Sequence, residues 1–428
     1  MKLLKTLSLS VIGLIGTSAI AQEFSSDIQI RPRYEYTNGF GTLLTPTTSH
    51  TSFVGNRTRV TLNYTDTKLK AKVALQNVRT WGAVNHLTGG VSNATNSFVL
   101  FEGWAEYSFT QKWSTKIGRQ IISYDNQRIF GGLDWANQGR SFDAALIKFK
   151  GAKSQLDLGF AMNAKDESKT LPNPQTAILF GTDLDFKDFQ YAWYHTSIKK
   201  LGVSFLALNV GKEYLKTTEV ETNYYQTLGT YANYAGKKLS LDFSFYGQTG
   251  KIGANKVSAW QTAANLGYAF TPKFKATVGY EFLSGKDQGT PSSPMVKSFN
   301  PIFGTNHAFN GFMDYFYVGN HLNSVGLQDV SLKLDFPIKK VNLSVAPHLF
   351  YAPNTIKSGT VAQDSYLGTE VDLTAVYKAT KDITLIAGYS QMFASNSMAV
   401  LKNGLDDTTN NWAYLMVNIN PQIFSSKK

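Results

Sequence analysis

The 428-residue chain contains no cysteine, which excludes a disulfide framework, thiolate metal sites and cysteine catalysis. Eight arginines occur up to residue 140 and none after it. Beyond the first segment there is no run of the roughly 18 apolar residues that a membrane-spanning helix requires, and mean hydropathy is −0.20. A Gly-x-Ser-x-Gly elbow, a Walker loop and a histidine pair at i,i+4 are all missing. We therefore read the chain as no enzyme and as needing no cofactor or metal. Linkers, charge blocks and the 40–50-residue repeat of a propeller are absent too, which leaves a single domain.

What is present begins with an export signal. Lys2 and Lys5 precede an apolar stretch from Leu7 to Ile15, and Ala19-Ile20-Ala21 forms a small-residue cleavage site. Residues 1–21 are read as a signal peptide and 22–428 as the mature domain. A net charge of +12 points to an anionic partner. Export, and the lack of a compact basic motif, argue against nucleic acid.

From Asp27 onward the sequence alternates with period two. In Ile28 to Tyr36 one face is apolar or aromatic and the other carries Arg31, Arg33 and Glu35. Similar alternation recurs at 239–247, 274–283, 327–336, 367–378 and 383–393. Eight short connections, near 66–68, 110–112, 150–153, 199–200, 236–238, 271–273, 337–340 and 380–382, all contain lysine. Nine longer connections, rich in Gly, Asn, Thr and Ser, lie between them, the longest at about 284–325. Nine hairpins joined by eight turns make eighteen strands. Short turns at one end and long loops at the other match a transmembrane antiparallel β-barrel, with periplasmic turns and extracellular loops. The aromatic last strand, Trp412 to Asn420, suits closure, although four residues follow Phe424.

Alternation also assigns faces. A basic side chain on the lipid face near the midplane costs about 2–4 kcal/mol, so Arg31, Arg33, Arg57, Arg59, Lys70 and Lys72 should point into the lumen from three adjacent strands. Glu102 and Glu106 on the fourth strand, and Glu370 and Asp372 across the lumen, are expected to offset part of that charge. Parity leaves Arg119 open, because Ile117 shares its face. The arc could be a salt-bridge ladder that only stiffens the wall, or it could bind a permeant. Arginine's planar fork, which grips carboxylates bidentately, favours a carboxylated or phosphorylated solute. His307, Asp314 and His321 lie among aromatics in the longest loop and suggest an aromatic lid more than a metal site.

The most specific residues lie between 107 and 149. Gly118-Arg119-Gln120, Tyr124-Asp125-Asn126-Gln127-Arg128, Gly131-Gly132-Leu133-Asp134-Trp135, Gly139-Arg140 and Asp143-Ala144 together resemble the alginate-export family of outer-membrane barrels. Glu281-Phe282-Leu283-Ser284-Gly285, and 303–307 through 314–320, resemble its branch in Bacteroidetes. The resemblance implies an eighteen-stranded monomer whose arginine-rich constriction passes anionic polysaccharide outward. It places Arg119, Arg128, Arg140, Asp134 and Asp143 in a pore-lining, charge-paired region. Gly131-Gly132 and Gly139 could equally serve tight turns, with Asp134 and Asp143 folding the loop inward. The expected partners are an anionic glycan or small anionic solute, outer-membrane lipid and lipopolysaccharide, with room for a periplasmic export partner. The alternatives are a general non-specific porin and a structural or adhesin barrel with a plugged lumen.

Overall fold

The computed structural model describes residues 22–83, 98–164, 186–217, 219–289, 295–317, 320–321 and 324–427. The proposed signal peptide (1–21) and His86 lie outside them. Eighteen strands form the wall. In chain order β1–β6 are Glu23–Asn38, Thr51–Thr65, Leu69–Thr80, Val99–Ser108, Trp113–Gln120 and Phe142–Lys150. Strands β7–β12 are Ser154–Met162, Asp188–Ile198, Leu201–Lys216, Glu219–Ala235, Leu239–Ile252 and Asn255–Thr271. Strands β13–β18 are Phe274–Leu283, Leu327–Ile338, Val341–Tyr351, Tyr366–Lys378, Ile383–Ala394 and Asn410–Ile419. A short α-helix, α1 (Asn396–Lys402), sits in the last loop.

Each strand pairs antiparallel with its sequence neighbours. The sheet closes where β1 meets β18, with Arg33 opposite Met416 and Thr37 opposite Trp412. Below a bulge, Gln422–Ser425 continues the closure, and Phe424 packs on Phe24 at 5.8 Å. Closure is what a bilayer demands, because an unpaired strand edge in hydrocarbon leaves backbone groups unsatisfied. No helix among the described residues is long and apolar enough to cross a membrane.

The outer face carries the lipid-facing residues: Leu62, Val73, Leu158, Phe205, Phe243 and Leu332 are all exposed. Next to the short turns the aromatics gather in pairs, Trp113 with Phe149 at 4.9 Å and Phe274 with Phe270 and Phe336 at 5.3 and 5.2 Å. That is the girdle expected at one membrane interface. All eight lysine-bearing turns are present. In the first, the Asp66 carboxylate accepts from the backbone N–H of Lys68 (2.7 Å) and Leu69 (3.2 Å), which holds its pKa below the ordinary value.

The opposite end departs from the sequence reading in one respect. Two of its nine connections are tight turns, with Lys216 opposite Glu219 and Ile252 opposite Asn255. Residues taken as loop there extend the ladder, so β9–β12 reach 14–17 residues while β4–β7 have 8–10.

The inner face is not uniformly polar either. Phe142, Leu146, Phe189, Tyr191, Trp193, Trp412 and Tyr414 point inward and are buried. They are covered by two loops that fold into the lumen, the third (121–141) and the described parts of the seventh (284–289, 295–317, 320–321 and 324–326), and together form one continuous apolar cluster.

Candidate functional site

The site grows from β1 and β2, whose period-two spacing puts Arg31, Arg33, Arg57 and Arg59 on the inner face. Their partner is the third loop, which doubles back through left-handed residues at Asp125, Gln127 and Leu133. Arg31 donates to the carbonyls of Asp134 (2.7 Å), Trp135 (3.3 Å) and Ala136 (3.1 Å) and to Asn137 Oδ1 (3.2 Å). Arg57 is fully buried and bonds Asp134 Oδ1 at 2.8 Å and Gln29 Oε1 at 2.9 Å. Arg33 pairs with Glu35 at 2.8 Å, donates to Trp135 O, and stacks over the Trp135 ring at 4.2 Å. Arg59 grips Gln76 Oε1 and lies 3.7 Å from the Phe101 ring. The arginines thus hold segment 134–138 inside the barrel. Arg31 Nε and Arg57 Nη1 remain buried without a protein acceptor.

The seventh loop meets the third from the other side. Gly131 N–H donates to Phe303 O, and Thr305 N–H to Gln127 O, each at 2.9 Å; Arg140 donates to Gly304 O at 2.9 Å. Two glycines permit this approach. A Cβ on Gly131 would strike Thr305 Oγ1, and one on Gly304 would strike the Arg128 carbonyl oxygen. Replacing Gly304 with alanine should therefore part the two loops and expose 301–317 to protease in the folded barrel. Wild-type resistance in that variant would show that the contact is dispensable.

Beyond this contact the seventh loop is tied to the far wall by acids. Glu370 accepts from the Met313 N–H (2.8 Å), and Asp372 from the Phe312 N–H (3.2 Å). Asn310 donates to Glu281 (2.8 Å) and Asp329 (3.2 Å), and Asp329 in turn pairs with His348 at 2.9 Å. At the loop's end, Lys402 of α1 donates to Tyr315 O and Asn320 O at 2.7 Å each. Burial pulls Lys402 down to about 7. Neighbouring His321 falls to about 3, chiefly through burial and then through the Lys402 charge.

Several residues singled out from sequence occupy other places than expected. Arg128 does not face open lumen; it is buried, with Glu281 at 2.8 Å, Asn306 and Asn310 within 3.3 Å, and the Phe309 ring at 4.5 Å. Arg119 shares the outward parity of exposed Ile117 and bonds Asp143 at 2.6 Å. Both therefore sit at the rim and not on the inner wall, because Gly118, not Arg119, shares the face of buried Gln120. Glu370 and Asp372 are committed to the seventh loop, so they do not confront the cations across open space. Arg140 sits where the third and seventh loops meet. Lys72 pairs with Glu102, Glu106 with Lys148 at 3.1 Å, and Lys70 lies in register with Glu106.

Lys116 and Lys148 also belong to this wall, and the sequence reading did not assign them. Lys116 lies 3.9 Å from the Trp104 ring and in register with Glu106, and its parity with Ser114 and Gln120 is the signal that could have placed it. His307 bonds Asp314 at 2.9 Å and stacks on Trp135 at 4.5 Å, apart from His321. No group of three or more His, Cys, Asp or Glu among the described residues could hold a metal.

Bordering the third loop lie open, adjoining cavities of about 550, 480 and 280 Å³. The largest is bounded by Arg33, Arg79, Trp135, Asp314 and Tyr317, and Arg119 and Arg140 line both of the others.

A barrel of this strand number, with inward third and seventh loops, invites comparison with known proteins. A family model described as "Alginate export" matches residues 21–411. The chain belongs to the alginate-export family. No curated protein sequence matches it significantly. Among solved structures, OccK8 (OprE) of Pseudomonas aeruginosa superposes with a TM-score of 0.62 at 11% identity, over 94% of this chain and 98% of that one. OccAB1 of Acinetobacter baumannii gives 0.62 at 10%, covering 94% and 97%. OprD of P. aeruginosa gives 0.58 at 12%, covering 94% of each. These likenesses establish the shared fold. The alginate-export family chain is an outer-membrane channel, in contact with membrane lipid and passing solutes through its lumen.

Proposed function

We propose that this family member passes anionic solutes, acidic polysaccharide or oligosaccharide among them, by diffusion along the β1–β6 wall. One observation carries the reading. Eight cations, Arg31, Arg33, Arg57, Arg59, Lys70, Lys72, Lys116 and Lys148, line that arc against five acids, Asp27, Glu35, Glu102, Glu106 and Asp134. In a narrow space with low-dielectric walls such an excess concentrates anions and repels cations. Export would follow signal-peptide cleavage after Ala21. Residues 22–428 would act as a monomeric outer-membrane barrel, facing lipopolysaccharide outside and any export partner on the periplasmic side.

The test is the reversal potential of the purified protein in a planar bilayer under a salt gradient. Anion preference is expected, and it should fall when Arg31, Arg33, Arg57 and Arg59 are changed together to glutamine, which still donates hydrogen bonds. Unchanged selectivity in that variant would leave a general porin, and no current from the wild type would leave a plugged barrel.

A further inference from the structure

We infer that the periplasmic rim of the barrel binds the phosphates of anionic phospholipids, and so gathers a ring of such lipid around the protein in the inner leaflet. The inference concerns the outer edge of the wall and stands apart from what the lumen passes.

It starts from the eight short turns. They hold twelve lysines against two acids, Asp66 and Asp382, and the turns at 150–153, 199–200, 236–238 and 337–340 hold two lysines each. All twelve are exposed. The lysine ion pairs among the described residues, those of Lys72, Lys148, Lys187, Lys216, Lys333 and Lys427, all lie outside these turns. Of the two acids, Asp66 already serves its own turn by accepting the N–H groups of Lys68 and Leu69. The rim is thus a collar of cations with little counter-charge of its own.

Turn geometry does not ask for lysine. The hairpins closed by Ile198–Leu201 and Ile338–Val341 have two-residue turns. The first turn residue of each has a positive φ, 57° at Lys199 and 55° at Lys339. Such positions favour glycine or asparagine. In both turns a second lysine follows the first, so like charges adjoin as well. What these turns share is charge, and their backbone conformation does not explain it.

The aromatic girdle fixes where the lipid headgroups lie. Trp113 follows Lys112, Phe149 precedes Lys150, Phe274 follows Lys273, and Phe336 stands three residues before Lys339. Aromatic rings settle at the membrane–water interface, and a strand rises about 3.3 Å per residue. The lysines therefore start within about 10 Å of the rings. Their stems can lie along apolar surface while the ammonium groups reach the phosphates.

Recurrence at all eight turns decides the occupant. A docked protein would cover one sector of the rim, whereas lipid surrounds the barrel on every side, as the lysines do. Even at the ninth position, where the termini meet, Lys427 stands beside Glu23 at 3.4 Å. Lipopolysaccharide belongs to the outer leaflet, which leaves phospholipid phosphate to face this collar. Basic side chains beside an anionic leaflet are held by a field that salt weakens.

The test is electron spin resonance of the full mature protein in phosphatidylcholine liposomes that carry a trace of spin-labelled phosphatidylglycerol or spin-labelled phosphatidylcholine. The spectrum reads the fraction of each lipid held at the protein surface. Expected at low salt is a preference of about fivefold for phosphatidylglycerol, the factor for one lysine beside an anionic surface. It should fade in 1 M salt, where the screening length is about 3 Å. Changing Lys199, Lys200, Lys237, Lys238, Lys339 and Lys340 together to glutamine should remove most of the preference, and changing them to arginine should keep it. Equal association of the two lipids with the wild type would overturn the inference, as would a preference untouched in the glutamine variant. A wild-type preference that survives 1 M salt would overturn it without any variant, because something other than lysine charge would then select the lipid. No lipid preference, together with binding of a soluble polyuronate that the glutamine variant loses, would assign the collar to a solute and overturn it too.

Discussion

Changing Arg128 to methionine is expected to free the seventh loop from the lumen and raise single-channel conductance several-fold. Arg128 joins three things at once: Glu281 on β13, the side chains of Asn306 and Asn310, and the ring of Phe309. Both partners of the ion pair are buried, at 3% and 7% exposure. Removing one member of such a pair strands the other charge out of water, typically at a cost of about 3–5 kcal/mol. That sum exceeds what a single loop contact can offset, and the simplest relief is for the loop to move out and let water reach Glu281. The barrel should survive, because its ladder does not pass through Arg128. The check is conductance together with limited proteolysis of the folded protein within 301–317. If Glu281→Gln is added, the stranded charge disappears and part of the effect should be reversed, as contacting residues couple. Wild-type conductance and wild-type resistance in Arg128→Met would mean that the loop is held by its apolar packing alone.

The barrel was legible because its rules are local. Lysines punctuate the eight short turns, and alternation in β1–β3 sorts Arg31, Arg33, Arg57, Arg59, Lys70 and Lys72 onto one face. The interior was less legible, for three physical reasons. The path of the third loop is set by bonds between residues far apart in sequence, such as Arg31 with the Asp134 carbonyl, 103 positions away. Periodicity shows that a strand has two faces but not which is wet. On β18 both faces are apolar, and Trp412 and Tyr414 turn inward because Trp135 waits for them at 5.6 and 4.9 Å. Finally, polar residues between 211 and 222 and around Gly253 look like loops, whereas they extend β9–β12, strands long enough to rise beyond a bilayer crossing of roughly 9–11 residues. The family motif marked the right segment, since Gly131, Asp134 and Arg140 all act in the third loop. It did not show that Arg128 is buried or that Arg119 stands at the rim.

Changing Asp134 to asparagine should act in the direction opposite to the loss of the arginines, and strengthen anion preference. Asp134 is an acid that touches two of the arc's guanidiniums, Arg57 at 2.8 Å and Arg31 at 3.6 Å, and its side chain is 73% exposed. The carboxylate itself is therefore already in water, and the cost of removing its charge falls on buried Arg57, which loses its ion-pair partner. Asparagine keeps an oxygen for Arg57, and the backbone carbonyls of 134–136 still accept from Arg31, so the third loop should stay in place. What changes is one negative charge beside the passage. At an exposed position a unit charge about 4 Å from an ion contributes about 1 kcal/mol in a water-like dielectric. That corresponds to about a fivefold rise in the anion-to-cation permeability ratio, read as a shift of reversal potential at low salt. The shift should shrink toward 1 M salt, where the screening length is only about 3 Å. A shift that persists at high salt would point to a rearranged loop. No shift at low salt would mean that ions pass beyond the reach of Arg31 and Arg57, and the arc would then be serving the loop alone.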